Sequence, residues 1–238
     1  MPPLRRLSVV IPVLNEEKTI EKLIQKVQRV SLPGLEKEIV VVDDGSRDQT
    51  REILKQIQGI RYFFHEKNRG KGAALKTGIA HSTGDVLLLQ DADLEYKPED
   101  YPALVRPILK GDFQFVMGSR FLLEKPKFFT KSGAPFFSHY LGNHMIIWLT
   151  NFLYGQQNTD YEGCYKVFTR SLIQSIPIKA DGFAFDNELI CKSLRRGFKI
   201  AEVAIHYEPR LYSQGKKIKW QDGVLMLWTI LKWRFLPF

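Results

Sequence analysis

The sequence predicts an α/β protein, a Rossmann-like, doubly wound and mostly parallel sheet in a single domain. Three observations predict it. Apolar runs too short for helices recur along the chain, at Leu7 to Val13, Ile39 to Val42 and Val86 to Leu89, and runs of this kind mark strands buried on both faces. Between them lie segments with apolar residues at helical spacing, the alternation that builds parallel sheets. A chain of 238 residues that is 44% hydrophobic can bury one sizeable core, and no proline- or glycine-rich linker divides it.

After a short basic lead, Met1 to Arg6, the β-branched content of Leu7-Ser8-Val9-Val10-Ile11-Pro12-Val13 marks the first strand. Asn15-Glu16-Glu17 is placed to cap a first helix, in which Ile20, Leu23, Ile24 and Val27 recur at helical spacing. Glu38 to Asp43 is the second strand, turned by Asp43-Asp44-Gly45-Ser46 into a helix from about Asp48 to Ile57. A third unit runs through Ile60 to Phe64, and Asn68-Arg69-Gly70-Lys71-Gly72 opens the helix Ala73 to His81. Val86 to Leu89 is the fourth strand. Lys125 to Pro135, with prolines, Gly133 and lysines, reads as a flexible loop. Phe185 begins a helix ending near Gly197, and Lys199 to Tyr207 alternates as a strand for the sheet edge.

The fourth strand runs into Gln90-Asp91-Ala92-Asp93-Leu94-Glu95. Open α/β sheets bind ligands at the carboxyl ends of their strands, where these three acids arrive together. Carboxylates so dense suit a hard divalent cation, Mg²⁺ or Mn²⁺, that keeps positions open for phosphate oxygens; the alternative is a solvated acidic turn. Asp43 and Asp44 read as a helix cap with its neighbour or as a nucleotide contact. Gly70-Lys71-Gly72 resembles a phosphate-handling turn with bare backbone N–H groups at a helix start, without the full P-loop sequence. No Gly-x-Gly-x-x-Gly follows the first strand, which disfavours a dinucleotide-binding domain. The net charge of +9 is compatible with nucleic acid, anionic lipid or a phosphorylated substrate. Cys164 and Cys191 make no metal motif; with no evident signal peptide they suggest a reduced, cytoplasmic protein.

Four stretches in order, Val9 to Glu17, Val41 to Ser46, Asn68 to Gly72 and Gln90 to Glu95, resemble the successive motifs of the family-two inverting glycosyltransferases. Gly118-Ser119-Arg120-Phe121, Asp160 to Phe168 and Gly215-Lys216-Lys217 are similar to the branch of dolichyl-phosphate mannose synthases and bacterial polyprenyl-phosphate sugar transferases. The resemblance implies an A-type glycosyltransferase fold and a metal-dependent, inverting transfer of a hexose from a nucleoside-diphosphate sugar, of the GDP-mannose or UDP-glucose type, to a polyprenyl phosphate. It implies that Pro12, Leu14, Glu16, Asp44, Lys71, Asp91 and Ala92 bind the nucleotide sugar. Asp91, Asp93 and Glu95 would hold Mg²⁺ or Mn²⁺; Arg120, Arg210 and Lys217, with Lys216 beside it, would hold the acceptor phosphate; and Asp93, Arg120 and Asp160 would serve the transfer itself. Residues 1–120 would then form the nucleotide-sugar half and 121–238 the acceptor half. The partners implied are the donor, the lipid acceptor and a membrane surface rather than nucleic acid, at the cytoplasmic face.

Two segments bear on that surface. Phe136 to Tyr154 is aromatic-rich but interrupted by Asn143, His144 and Asn151, and Trp220 to Phe238 carries Trp and Leu beside Lys232 and Arg234, with Lys216, Lys217 and Lys219 just before it. Neither is an uninterrupted apolar run of about 20 residues, as a spanning helix requires. Each can lie in a membrane interface or pack on the sheet. Two further readings remain at this stage: a transferase for a soluble or polysaccharide hydroxyl, which needs a true general base, and a non-catalytic, peripheral membrane-binding relative.

Overall fold

A computed structural model describes residues 4–122, 137–208 and 220–238. Arg210, Lys216, Lys217 and the Lys125 to Pro135 segment lie outside these residues. The strands are β1 (Arg6–Val13), β2 (Glu36–Asp43), β3 (Arg61–Phe64), β4 (Val86–Leu89), β5 (Phe115–Ser119), β6 (Lys166–Thr169) and β7 (Ile200–Ala204). The helices are α1 (Ile20–Arg29), α2 (Thr50–Gln56), α3 (Lys71–His81), α4 (Tyr101–Leu109), α5 (Phe137–Tyr154), α6 (Arg170–Ser175), α7 (Ala184–Arg195) and α8 (Trp220–Phe235).

One sheet of order β3-β2-β1-β4-β6-β5-β7 joins all seven strands. The predicted parallel run holds from β3 across to β4, and β5 pairs parallel with β7. Only β6 is reversed, lying antiparallel between β4 and β5. That reversal matters for the site. Because β6 runs backward, its first residue, Lys166, pairs with Met117 near the end of β5. The loop leading into β6 therefore sits over the carboxyl ends of the other strands.

Each face of the sheet carries its own core. Leu7, Val9, Ile11 and Val13 of β1 pack with Ile20, Leu23, Ile24 and Val27 of α1, Leu54 of α2 and Leu104 of α4. Val10 of β1 and Leu87 and Leu89 of β4 face the other way, against Leu75 of α3, Leu189 of α7 and Ile230 of α8. This is the doubly wound arrangement, and the period-2 geometry of strands dictates it. At about 25 cal/mol per Å² of apolar area, fully burying one such side chain contributes roughly 1.5–3 kcal/mol.

Three local expectations are corrected. The helix-capping position falls to Thr19, not Asn15; Asn15 adopts φ 51°, and its side-chain oxygen accepts from Arg47 N at 2.8 Å instead. A short polar side chain that tolerates left-handed backbone suits that turn. The predicted alternation of β7 gives no alternating burial, since all five residues are half-buried at the sheet edge. Gly70 and Gly72 do not simply leave bare donors at the start of α3. Gly70, at φ +102°, and Gly72 let the 180–182 loop approach so closely that an added Cβ would lie 2.4 Å and 2.7 Å from its carbonyl oxygens. The N–H of Ala73 donates to Asp181 O at 2.9 Å.

Candidate active site

The crevice lies where strand order turns, between the carboxyl ends of β1 and β4, whose following chains depart to different places. Pro12 lies at the end of β1, and the loop that follows carries Leu14 and Glu16 and is fastened to the chain after β2. Asn15 N donates to Ser46 Oγ at 2.8 Å, Glu16 N to Thr50 Oγ1 at 2.9 Å and Glu17 N to Asp48 Oδ2 at 3.1 Å. Thr19 Oγ1 donates across the crevice to Ala92 O at 2.9 Å and to Glu16 Oε2 at 2.8 Å. The predicted nucleotide-binding residues of the first and fourth strand ends thus share one polar seam.

Behind the acidic loop a buried polar network fixes the backbone. Gln90 Oε1 accepts from Tyr101 OH at 2.7 Å and from Tyr165 OH at 2.9 Å, while its Nε2 donates to Asp91 O at 2.8 Å. Asp91 N is directed at Cys164 Sγ at 2.9 Å. Leu94 holds φ 62°, an uncommon conformation for a branched residue, and so the turn is over-determined by its surroundings.

Asp91 meets Lys71, the first residue of α3, at 2.7 Å between Oδ1 and Nζ. Burial pushes the Asp91 carboxyl up, but the Lys71 ammonium outweighs it and holds the group below the usual carboxylate range. Burial likewise opposes the charge on Lys71, and Asp91 with Asp186 more than restores it. Asp93 accepts from Glu95 N at 3.3 Å. Among the described residues, no three His, Cys, Asp or Glu side chains converge as a ready metal cage, so the expected ligand set of Asp91, Asp93 and Glu95 is not preassembled. The reason lies in partners made elsewhere: Asp91 is drawn to Lys71, and Glu95 lies beside the Tyr207 hydroxyl. The donor set still fits a divalent cation of the Mg²⁺ type, which takes one or two carboxylates and fills its shell with water and substrate phosphates.

Arg120, just past β5, and Asp160 form a buried charged pair. Arg120 Nε lies 2.7 Å from Asp160 Oδ2 and Nη2 lies 2.8 Å from Oδ1, with Arg120 N on the same carboxylate at 3.0 Å. The guanidinium fork expected to grip a phosphate grips Asp160. Burial would raise the Asp160 carboxyl, but Arg120 overrides it and holds the group below its ordinary range. Glu202 of β7 accepts from Thr159 N and Asp160 N, both at 2.9 Å, and fixes the loop that carries Asp160. Arg120 also lies 5.2 Å from the ring centre of Tyr207, a cation over an aromatic face.

Asp44 is nearly closed off, with 4% of its side chain exposed. Its oxygens accept from His65 Nδ1 at 2.6 Å, Arg69 N at 3.0 Å and Gly70 N at 2.7 Å. Asp44 therefore organises the turn that delivers Lys71. Asp43 accepts from Arg51 Nε at 2.6 Å and from Ser46 N.

Two groups carried no predicted role. Lys166 is 1% exposed and bonds Gly163 O, and Asp186, in the first turn of α7, lies 3.8 Å from both Lys166 Nζ and Lys71 Nζ. A lysine between Tyr165 and Val167 in a strand is the signal that was present, since lysine is almost never fully buried without paired charge. Nothing in the local pattern of Asp186 distinguishes it from an ordinary first-turn acid.

A mixed, mostly parallel sheet of this order, with acids at the strand end beside the switch point and Lys71 against Asp91, places the protein among the A-type glycosyltransferase folds. The profile of glycosyl transferase family 2 matches residues 8–176, and the chain belongs to that family and is a glycosyltransferase. It is 30% identical over 242 residues to a dolichyl-phosphate beta-glucosyltransferase of Trichomonas vaginalis, spanning 95% of this chain and 72% of that one. It is 26% identical to a UDP-N-acetylglucosamine–dolichyl-phosphate N-acetylglucosaminyltransferase of Methanococcus voltae, over 94% of each chain. Among solved structures it is similar to glucosyl-3-phosphoglycerate synthase of Mycobacterium tuberculosis in complex with Mn²⁺, UDP and phosphoglyceric acid, at TM-score 0.74 and 25% identity, covering 98% of this chain and 80% of that one.

Proposed function

We propose that the protein transfers a hexose from a nucleoside-diphosphate sugar to a polyprenyl phosphate, with inversion at the anomeric carbon. The single observation that carries the choice of acceptor is the Arg120–Asp160 pair. A hydroxyl acceptor needs a general base matched to neutral pH, and Asp160, the acid expected on the acceptor side, is held below its ordinary range, against its burial, by the charge of Arg120 and the three hydrogen bonds Arg120 donates to it. A phosphate monoester is already ionised near neutral pH, its second pKa being about 6, and needs no such base. The dolichyl-phosphate relatives support the same acceptor class.

In this reading the nucleotide lies along Pro12, Leu14, Glu16 and the turn that Asp44 organises, and Ala92 lines the diphosphate path. Asp91 and Asp93 would hold the Mg²⁺ or Mn²⁺ that, when bound, neutralises charge on the departing diphosphate; the divalent ions in the solved neighbours support this choice. Lys71 shifts its charge from Asp91 toward the donor phosphates. Arg120 attracts the acceptor phosphate by charge while Asp160 keeps its guanidinium oriented; Arg210, Lys216 and Lys217 are the further cations proposed for that phosphate.

The acceptor's lipid tail favours a membrane surface. No helix among the described residues is long and apolar enough to cross a membrane. Yet α5 exposes 65% of Trp148 and 71% of Phe152, stacked at 5.6 Å, and α8 exposes 58% of Trp228. Met226, Ile230 and Trp233 on the opposite side of α8 are buried, so the helix packs on α7 with one face and offers the other to lipid. Residues 1–120 as donor half and 121–238 as acceptor half of one domain complete the proposal, at the cytoplasmic side. Supplying labelled donor with polyprenyl phosphate, free phosphoglycerate or a soluble sugar as competing acceptors tests it. Label in the lipid product supports the reading; label only in a water-soluble product overturns it.

A further inference from the structure

We infer that Glu188 is a positioning residue for Lys71: from the buried side of α7 it fixes residues 179–182, and that loop sets the first turn of α3. The inference rests on the donor reading above, in which Lys71 serves the diphosphate, and deepens it. Residues 177–181 lie in neither helix nor strand, so their backbone donors need partners from elsewhere. Glu188 supplies them. Its Oε1 accepts from Lys179 N at 3.1 Å and its Oε2 from Ala180 N at 2.7 Å. An acid so deeply buried needs a paired charge, and Lys192 Nζ, one turn along α7, lies 2.5 Å from Oε1. Lys192 also donates to Pro177 O at 2.5 Å, so the buried pair holds the loop through backbone groups of 177, 179 and 180.

The loop meets α3 with little slack. Its carbonyl oxygens press on the two glycines that flank Lys71, and a Cβ added at Gly70 or Gly72 would collide with Asp181 O or Ala180 O. Asp181 O accepts from Ala73 N at 2.9 Å. Further along α3, Lys76 donates to Lys179 O at 3.2 Å and pairs with Asp181 Oδ1 at 2.6 Å. Asp44 accepts from Gly70 N at 2.7 Å. The start of α3 is therefore held by two carboxylates, Asp44 acting directly and Glu188 through the loop, and Lys71 is the residue between the held positions. A lysine stem is flexible and its ammonium is a point charge without a direction of its own, so the backbone that carries Lys71 decides where its charge falls. The 2.7 Å approach of Lys71 Nζ to Asp91 Oδ1 depends on that placement. A core acid without such a role would need only Lys192, whereas Glu188 turns both oxygens to the loop.

The test uses the full chain with Mn²⁺ and whichever of UDP or GDP the parent binds more tightly, with affinity measured by calorimetry and local opening by hydrogen exchange. Lys71→Met should weaken the nucleoside diphosphate at least about tenfold, the scale of one hydrogen bond to a charged group. Glu188→Gln should weaken it at least about fivefold in the parent background and by less than about twofold in Lys71→Met, since a residue that acts through Lys71 has nothing left to position there. Exchange should quicken at the amides of Ala180 and Ala73 together. Glu188→Asp keeps the charge opposite Lys192 but withdraws the carboxylate from the loop by one methylene; it should show the same pattern, and it decides the question where Glu188→Gln does not fold. A lowered melting temperature with unchanged affinity overturns the inference and leaves Glu188 a core acid. So does an equal loss of affinity in both backgrounds. A Lys71→Met variant that binds like the parent overturns the donor role of Lys71, and a parent that binds neither diphosphate overturns the donor reading; either takes the inference with it and is distinct from a failure of Glu188 itself.

Discussion

Lys71 Nζ stands 2.7 Å from Asp91 Oδ1, joining the first residue of α3 to the end of β4 across the crevice. Neutralising one acid of the loop from a helix start lets Asp91 remain ionised in a half-buried place, and leaves the loop open to a cation and to phosphate together. Asp91→Asn or Asp93→Asn should lower transfer by at least about 100-fold, the scale of losing one electrostatic stabiliser of a transition state. Circular dichroism should show the fold retained, and chelation of divalent ions should silence the parent. Activity that survives a chelator contradicts the metal assignment.

Arg120 and Asp160 predict a stability effect as well as a functional one. Asp160 is 1% exposed, and removing one partner of a buried pair leaves the other uncompensated, at a cost of about 3–5 kcal/mol. Arg120→Ala should therefore lower the urea midpoint strongly. Arg120→Lys should recover part of it, because a lysine restores charge without the fork.

Acid dependence follows from three carboxyls. Asp91 and Asp160 have folded pKa values below their unfolded ones, so the stability they contribute is complete above an unfolded value of about 3.9 and is lost as pH falls through the lowered folded values. Glu162 has the opposite sign: burial raises its carboxyl, and its contribution is full below about 4.3 and declines as pH rises through the raised folded value. Urea unfolding across pH should show Asp160→Asn flattening the acid limb. Glu162→Gln should remove a decline on the neutral side.

The exposed face of α8 and α5 predicts reversible binding to anionic vesicles, weaker at high salt, since each basic residue near such a surface contributes about 1 kcal/mol over a Debye length of about 10 Å. Deleting α8 is the wrong test, because Ile230 and Trp233 belong to the core. Trp148→Ser with Trp228→Ser should instead reduce vesicle co-sedimentation and lipid transfer while thermal stability stays within about 0.5 kcal/mol per site, as for surface changes. Unaltered sedimentation would remove the interface from these helices.

Asp44→Ala should weaken donor binding at least about tenfold and also loosen the turn, since Asp44 holds His65 and the N–H groups of Arg69 and Gly70. Calorimetry with the nucleoside diphosphate, alongside a thermal melt, reads both. Equal donor affinity would exclude the residue from the nucleotide site.

β1, β2 and β4 were legible because their apolar runs are buried on both faces and lead into acids, signals that lie within a few residues. β5 and β6 were not, since Phe115 to Ser119 and Lys166 to Thr169 contain polar residues and their pairing depends on the long excursion through α5. The acids at the strand ends were visible, but their partners were not. Nothing near Asp91 in the chain points to Lys71, and nothing near Asp160 points to Arg120, because both pairs are set by tertiary contact. Asp186 was silent for the same reason, its two ammonium neighbours coming from α3 and β6.

The most direct measurement of the central claim is the transfer of labelled hexose from its nucleoside diphosphate to polyprenyl phosphate in vesicles, run beside the corresponding polyprenol and beside the Asp93→Asn variant. The account predicts organic-extractable label with polyprenyl phosphate, inverted at the anomeric carbon, and at least about 100-fold less with the alcohol or the variant. Equal transfer to polyprenol, or retention of the anomeric configuration, would contradict it.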